Sequence, residues 1–307
     1  MAARLTPIRR ELPPHDHPSA PQRALHARQN ARAIEKARGL PVDGIILDLE
    51  DAVAPEAKDA ARAQVVAAVK AGGFGSRELL VRINGLDTPW AIDDLNAAVQ
   101  AAPDAILIPK ITDREQLLMI GTRLLDMHAD RRIRVWAMME TPLAILRAHE
   151  LATVARDAEA RLAGFVLGTN DLVKEAHGRI APGRAPLVPW LATCVAAARA
   201  YGLIILDGVF NDLKDAAGFE AECAQARDMG FDGKTLVHPN QIDACNAAFT
   251  PTEAEVAEAR RIVAAFEQPG NRDKGVLQID GRMVERMHAD MARRTVAIAE
   301  AIAGASR

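Results

Sequence analysis

The chain has few aromatic residues, few cysteines and no long apolar run. Aromatics make up 4% of its 307 residues, and alanine and leucine are abundant, which suits many helices packed on parallel strands. No apolar stretch reaches the ~18 residues that a membrane-spanning helix needs, so no membrane partner is expected. The three cysteines (Cys194, Cys223 and Cys245) are odd in number and far apart. They favour free thiols in a reducing cytoplasm over a disulfide framework.

A large excess of charge of either sign is also missing. The formal net charge is -3, and no run of Lys and Arg is interleaved with aromatics, so nucleic acid is not expected as a partner. Residues 1–22 carry Pro and His but no apolar segment behind their basic residues, which predicts a flexible tail rather than a secretory signal. At 49% hydrophobic content, the rest of the chain can bury a sizeable core.

Strand-like and helix-like segments alternate along most of the chain. Strands are predicted to begin at residues 44, 79, 105, 133, 164, 203 and 233. These starts are separated by the length of a strand, a helix and two loops, and Ala24 to Ala27 would add an eighth strand. Residues 23–250 are therefore predicted to form a (β/α)8 TIM barrel. An open doubly wound sheet is the alternative, but no strand is followed by a Gly-x-Gly-x-x-Gly turn.

Residues 251–307 follow this repeat as a smaller unit. Helical patterns run from Glu253 to Phe266 and from Met283 to Ala303. The polar, glycine-rich segment QPGNRDKGVLQIDG between them is predicted to be a mobile loop. The sequence therefore predicts a C-terminal helical lid.

The segment GIILDLED, residues 44–51, carries carboxylates on one face of an apolar strand. Alternation places Ile46, Asp48 and Glu50 on the same face. Unpaired buried carboxylates are strongly disfavoured. Either a metal ion or substrate offsets their burial, or the strand end lies in solvent, and this segment alone does not decide between the two.

Polar residues also close the other apolar runs. Because catalytic groups of such barrels lie at the carboxyl ends of the strands, these residues are predicted to meet at one mouth. They are Asp48, Glu50, Arg82, Asn84, Lys110, Glu140, Asp171, Asp207 and His238.

A divalent cation is predicted among the carboxylates of this mouth. Several carboxylates would repel one another without a cation, and oxygen ligands without a His or Cys pair indicate Mg²⁺, with Mn²⁺ possible. Glu140 and Asp171 are predicted as direct ligands, and Glu50 would hold a metal-bound water. The alternatives are a helix N-terminal charge for Glu140 and an N-cap for Asp171.

The two basic residues of the mouth suit an acidic substrate. The fork of Arg82 can bind a substrate carboxylate and can also neutralise Glu50. Lys110 is given a lesser role beside a neighbouring acid. Asp207, followed by Gly208, is predicted either to bind substrate or to form a turn.

Six ordered motifs carry a family resemblance. LDLEDAVAPEAKDAAR is followed by VRIN, IPK, METP, LGTNDL and GFDGKTLVHPNQI. This series resembles the citrate lyase beta-subunit-like family, which includes malyl-CoA and citramalyl-CoA lyases, over nearly all of the chain from Asn30 onward. One departure is QRALHARQ at residues 22–29, where the family usually has an Arg-Ser, an apolar pair and a Pro-Gly turn.

The resemblance implies a Mg²⁺-dependent barrel, commonly a homotrimer or homohexamer. It implies cleavage of a 3-hydroxyacyl-CoA thioester into an acyl-CoA and a 2-oxo acid such as glyoxylate. Arg82 would grip the carboxylate of the small acid, and Glu140 and Asp171 would hold the metal. Glu50 and Asp51 would lie in the acid cluster beside it. The C-terminal lid would close over the CoA thioester, on the same or a neighbouring subunit.

The predicted reaction needs a carboxylate base and support for a developing oxyanion. Glu50, Asp51 and Arg82 are the predicted catalytic residues. Three alternatives remain open: a malyl-CoA thioesterase, a pyruvate-type class II aldolase, and a catalytically silent subunit that binds an acyl carrier. The sequence does not predict the acyl chain.

Overall fold

The computed structural model describes residues 24–27 and 31–305. The predicted tail, residues 1–22, lies outside the described residues. Within them the chain forms an α/β core followed by a smaller C-terminal unit.

The α/β core is built on a curled parallel sheet whose strands follow one another in chain order. Seven consecutive strands form most of it: β2 (Gly44–Asp48), β3 (Glu78–Arg82), β4 (Ala105–Ile108), β5 (Arg134–Met139), β6 (Leu162–Leu167), β7 (Ile204–Asp207) and β8 (Gly233–Leu236). The short strand β1 (Ala24–Ala27) pairs in parallel with β2 and with β8. It thus lies between the two edges of the seven-stranded sheet, in the segment predicted to supply the additional strand.

Helices connect the strands, as the alternating pattern predicts. They are α1 (Ala31–Ala37), α2 (Lys58–Ala71), α3 (Ala91–Ala101), α4 (Arg114–Asp126), α5 (Pro142–Leu146), α6 (Ala148–Thr153), α7 (Thr169–Glu175), α8 (Val188–Ala200), α9 (Ala216–Met229) and α10 (Ile242–Phe249). Several starts have a local cause: Pro142 occupies the first turn of α5, and Asp113 caps α4 in a capping box with Gln116.

Alternation along the strands divides the core into two layers. Residues such as Ile45, Leu47 and Ile205 pack outward against the helices, whereas Ile46 and Leu206 belong to a separate cluster inside the curled sheet. The side-chain period of two therefore decides whether a polar residue at a strand end faces the inside or the helices.

The C-terminal unit contains a hairpin where a loop and the start of a helix were predicted. Helix α11 (Glu253–Glu267) is followed by strands β9 (Val276–Ile279) and β10 (Arg282–Glu285), and then by α12 (Arg286–Ala305). The strands pair antiparallel across Asp280 and Gly281, which both have positive φ, 50° and 78°. This is the conformation that a two-residue hairpin turn requires. The predicted loop is therefore wrong over β9, and the helix predicted from Met283 begins at Arg286 instead.

The C-terminal unit is tied to the amino ends of the strands. Arg294 of α12 lies 2.8 Å from Asp232, the residue before β8, and Arg227 at the end of α9 pairs with Glu255 of α11 at 2.5 Å. These ties lie at the end of the sheet opposite the carboxyl ends of the strands. None of the helices described between residues 31 and 305 is long and apolar enough to cross a membrane.

Candidate active site

Strands β2 and β3 end side by side in an ion pair. Asp48 and Arg82, their last residues, are partners in the sheet register. Arg82 Nε donates to Asp48 Oδ1 at 2.8 Å, and Nη2 donates to Oδ2 at 2.6 Å. Burial alone would lower the pKa of Arg82, but the charge and hydrogen bonds of Asp48 more than offset this and raise it. Arg82 is therefore a permanent cation at the mouth of the sheet.

Glu50 lies two residues beyond β2 and links both basic residues of the mouth. Its Oε1 accepts from Lys110 Nζ at 2.9 Å, and its Oε2 lies 2.9 Å from Arg82 Nη1. That second contact is an ion pair without hydrogen-bond alignment. Burial raises the pKa of Glu50, and the charges of Arg82 and Lys110 offset only part of this effect.

Asp51 occupies the open side of the same cluster. Its side chain is 57% exposed and lies 3.3 Å from Arg82 Nη1. An exposed pair of this kind contributes little to stability. Asp51 is thus beside the site, but it is not part of its buried framework.

Glu140 directly follows β5 and is completely buried. Its Oε1 accepts from the backbone N–H of Lys110 at 2.7 Å, whereas its Oε2 is buried with no hydrogen-bond partner within the described residues. Burial, with the nearby charge of Glu50, raises the pKa of Glu140 to about 8. Leaving such an oxygen unpaired is costly, so the site has a place for a cation or a proton.

Lys110 holds both buried carboxylates of the mouth. Its backbone has φ 52°, a left-handed conformation that is uncommon outside glycine. This conformation accompanies a backbone N–H bond to Glu140 and a side-chain bond to Glu50. The predicted pairing of Lys110 with a neighbouring acid is confirmed at Glu50, and the backbone bond to Glu140 is a second contact that was not predicted.

Asp171 reaches the site from the strand next to β5. It is the third residue of α7, which follows β6, and it is half-buried. Burial, the charge of Glu50 and, to a smaller extent, the charge of Asp171 raise the pKa of Glu140, so Asp171 lies within electrostatic range of Glu140. That these two carboxylates share a metal ion stays a prediction.

Asp207 does not join this group. Its side chain shares the outward face of β7 with Ile205. Its carboxylate accepts from Arg184 Nη1 at 2.8 Å and from Lys234 Nζ at 2.8 Å. Glu222 completes this enclosed cluster through Lys234 at 2.6 Å. The geometry does not support the predicted substrate-binding role, because the last residue of a strand faces the helices when its parity is outward.

The carboxylates at the mouth fit a hard divalent cation. No group of three or more His, Cys, Asp or Glu side chains in the described ranges is arranged to hold a metal ion. Mg²⁺ does not require one, because it is usually bound through one or two carboxylates and several waters. Glu140, with its unpaired Oε2, and Asp171 supply such a pair, and they are the residues that would hold the ion.

One buried residue behind the mouth, Lys58, has no role predicted from the sequence. Lys58, at the start of α2, donates to the carbonyl oxygens of Leu49 and Glu50. It also donates to Asn84, which follows β3. The available signal for Lys58 was a lysine in the first turn of a helix, where the helix dipole disfavours a positive charge.

Replacement of Arg82 by lysine is expected to lower the free energy of unfolding by about 2 kcal/mol. Lysine keeps the charge but cannot donate the parallel pair of bonds to Asp48. Urea unfolding of the variant measures this loss. The matched control is Arg114→Lys, because the Arg114 side chain is half exposed and its ion pair with Glu115 is long, at 3.7 Å. An equal free energy of unfolding in the two variants would show that the paired hydrogen bonds from Arg82 to Asp48 do not stabilise the fold.

Residues 26–239 match the family model described as HpcH/HpaI aldolase/citrate lyase. The chain belongs to this family. The resemblance found in the sequence motifs is thereby confirmed.

Curated relatives of this family align along most of the chain. The chain is 47% identical to a (3S)-malyl-CoA thioesterase of Cereibacter sphaeroides (strain ATCC 17029 / ATH 2.4.9), over 89% of the chain and 92% of the relative. It is 34% identical to citrate lyase subunit beta of Escherichia coli (strain K12), over 88% and 90%.

Solved structures are similar over the same length. The protein CitE of Mycobacterium tuberculosis, in complex with magnesium, acetoacetate and coenzyme A, has a TM-score of 0.71 and 26% identity, covering 92% of this chain and all of that one. A citrate lyase from Burkholderia xenovorans LB400 has a TM-score of 0.78 and covers 92% of each chain. At 23% identity, this second likeness supports the α/β fold alone.

Proposed function

We propose that this chain is a Mg²⁺-dependent enzyme that acts on a 3-hydroxyacyl-CoA thioester of the malyl-CoA type. The observation that carries the proposal is Glu140, a buried carboxylate with one unpaired oxygen. It lies within the electrostatic reach of Asp171, Glu50 and Arg82. The relatives support the substrate class, since one is a malyl-CoA thioesterase and a CitE structure contains magnesium and coenzyme A.

The proposed reaction is hydrolysis of the thioester, giving the free acid and CoA. The 47% identity to a malyl-CoA thioesterase favours it. The second candidate is cleavage of a carbon–carbon bond, giving an acyl-CoA and a 2-oxo acid such as glyoxylate. The sequence motifs and the citrate lyase relatives favour this second reaction.

The residues of the mouth have different proposed roles. Glu140 and Asp171 would hold Mg²⁺, which supplies electrophilic polarisation of substrate oxygens when bound. Arg82 and Lys110 provide the positive charge that attracts the carboxylate of the small acid. Glu50, whose pKa is raised by burial, is the proposed group that accepts and returns a proton. Asp51, on the open side, would contribute negative charge at the entrance.

We also propose a complete (β/α)8 barrel with the C-terminal unit as its lid. The pairing of β1 with both β2 and β8 supports the barrel. Because Arg294 ties the C-terminal unit to the amino end of β8, the lid would cover the mouth of another copy. A homotrimer or homohexamer would supply that copy. The cytoplasmic setting stays a proposal, resting on three cysteines that are free and buried.

A panel of CoA thioesters, assayed with and without EDTA, tests the proposed function. We expect turnover of malyl-CoA or a close analogue, and we expect EDTA to abolish it. Free malate in the product indicates hydrolysis, whereas glyoxylate indicates carbon–carbon cleavage. Turnover that is indifferent to EDTA would contradict the proposal.

Two further assays test the remaining alternatives. Turnover of pyruvate with free aldehydes, and none of any CoA thioester, would instead indicate an aldolase. A subunit that only binds an acyl carrier need not take up Mg²⁺ with glyoxylate, which isothermal titration detects.

A further inference from the structure

Lys58 is a buried cation whose three hydrogen-bond acceptors are neutral oxygens. Its side chain lies behind the loop that carries Glu50, and the residue is 6% exposed. Nζ donates to the carbonyl oxygen of Leu49 at 2.8 Å, to that of Glu50 at 2.7 Å and to Asn84 Oδ1 at 2.6 Å. All three donor positions of the ammonium group are therefore used.

The burial of this ammonium group is unfavourable in itself. Burial lowers the pKa of Lys58, and the charges of Asp48 and Asp94 offset only part of the effect. The ring of Trp90, 5.2 Å from Nζ, adds a cation–π contact. A methionine or leucine would fill the same volume without this desolvation. The fold alone therefore does not explain a lysine at this position.

The two carbonyl groups that Lys58 holds flank a single residue of the site. The carbonyl of Leu49 belongs to the peptide plane before the Cα atom of Glu50, and the carbonyl of Glu50 belongs to the plane after it. Because each peptide unit is planar, fixing both carbonyls fixes the direction of the Cα–Cβ bond of Glu50. Lys58 thus sets the direction in which the Glu50 side chain leaves the backbone.

A second chain of buried contacts holds Lys58 and the loop from behind. Asn84 Nδ2 also donates to the carbonyl of Leu49, at 2.8 Å, and to Asp94 Oδ2, at 2.5 Å. Asp94, fully buried in α3, accepts from Arg62 Nε of α2 at 2.7 Å. The loop is thereby anchored to both α2 and α3.

We propose that Lys58 is a positioning residue that aims the carboxylate of Glu50 at Arg82 and Lys110. Its importance for substrate rests on the proposed function, but its action on the loop does not. The matching distances, 2.9 Å from Glu50 to each cation, depend on this backbone placement. Loss of a supporting contact behind an active-site group typically costs about 10–100-fold.

Hydrogen–deuterium exchange of Lys58→Met tests the action on the loop without any substrate. We expect faster exchange in the peptide covering residues 49–54 and unchanged exchange in the strands β5 and β6. The matched control is Lys70→Met, the same substitution at an exposed position of α2, which should alter neither region. Unchanged exchange of residues 49–54 in Lys58→Met would overturn the proposal. If Lys58→Met does not fold, Asn84→Ala, which removes one acceptor and the second bond to Leu49, must show the same change.

A double-mutant cycle tests whether Lys58 acts through Glu50. The dissociation constant of glyoxylate in the presence of Mg²⁺ is measured for Lys58→Met, Glu50→Gln and the double variant. We expect Lys58→Met to weaken binding roughly tenfold or more in the wild-type background and to have little further effect beside Glu50→Gln. Additive losses would contradict a positioning role. Absence of glyoxylate binding by the wild type would count against carbon–carbon cleavage as a proposed reaction, while the exchange result would still decide the role of Lys58.

Discussion

Glu140→Gln is expected to lose Mg²⁺-dependent turnover by roughly 10³-fold or more. Glutamine keeps the shape of the side chain and can still accept from the backbone N–H of Lys110, but it carries no charge for the cation. A bound metal ion supplies several kcal/mol of stabilisation to a reaction of this kind, which corresponds to about this factor. The Glu140 carboxylate is completely buried, so a side chain on the protein surface cannot take its place as a metal ligand.

The same substitution is expected to stabilise the metal-free chain at alkaline pH. The pKa of Glu140 is raised by burial from 4.5 to about 8, so the folded chain keeps a proton that the unfolded chain releases. The stability contributed by the neutral carboxyl group is fully present below about pH 4.5 and is lost as the pH rises through about 8. The loss is about 5 kcal/mol, and a glutamine, which does not titrate, avoids it.

Urea unfolding of wild type and Glu140→Gln at pH 5 and pH 9 measures this difference. In EDTA the variant should gain stability relative to wild type as the pH rises. Mg²⁺ should stabilise only the wild type, because a ligand stabilises the state that binds it. The control is Glu115→Gln, an exposed glutamate of α4, for which neither trend is expected. A variant that Mg²⁺ stabilises as well as it does the wild type would remove Glu140 from the metal site.

Gly168→Ala is expected to reduce turnover and Mg²⁺ affinity by about 100-fold and to lower the melting temperature. A Cβ atom at Gly168 would lie 2.5 Å from Glu140 Oε2 and would also overlap Glu140 Cβ. The backbone of Gly168, at φ -102°, is open to any residue, so the effect would come from the overlap with the Glu140 side chain and not from backbone strain. Misplacement of a catalytic group by about 1 Å costs on the order of 10²-fold.

Mg²⁺ titration and turnover of Gly168→Ala, beside its melting temperature, test this expectation. Gly178→Ala is the matched control, because a Cβ atom there meets nothing closer than 3.8 Å. Equal Mg²⁺ affinity of the two variants would show that Glu140 tolerates displacement. Loss of folding in Gly168→Ala would show instead that the glycine supports the sheet.

Much of the fold could be predicted because the repeating pattern was long and regular. Strand starts at residues 44, 105 and 233 agree with the structure, and the others differ by one or two residues. The hairpin β9–β10 was missed because glycine and polar residues dominate its surroundings. Its signal was Asp280-Gly281, a pair that favours a two-residue turn. These two turn residues indicated a hairpin, although the composition of the segment is typical of a loop.

Site residues could be predicted where the alternation of side chains along a strand showed which face they lie on. They could not be predicted where both faces of the strand are apolar. Glu140 continues the inward face of Trp136 and Met138, and the sequence showed this. Asp207 closes LIILD, a strand that is apolar on both faces, so nothing in the sequence marked its side as outward. Lys58 was missed for another reason, because its role depends on backbone carbonyls, which every residue has.

Lys110 must satisfy three conditions at once. The residue at this position must adopt a left-handed backbone conformation. It must also donate its backbone N–H to Glu140 and place a positively charged side chain beside Glu50. Glycine meets the first two conditions and lacks the charge, whereas arginine resembles lysine in its backbone preference but carries a longer, forked group. Few other residues can therefore occupy this position and keep all three features. New substrate preferences in this family can arise more readily from loops around the mouth than from the residue that joins its two acids.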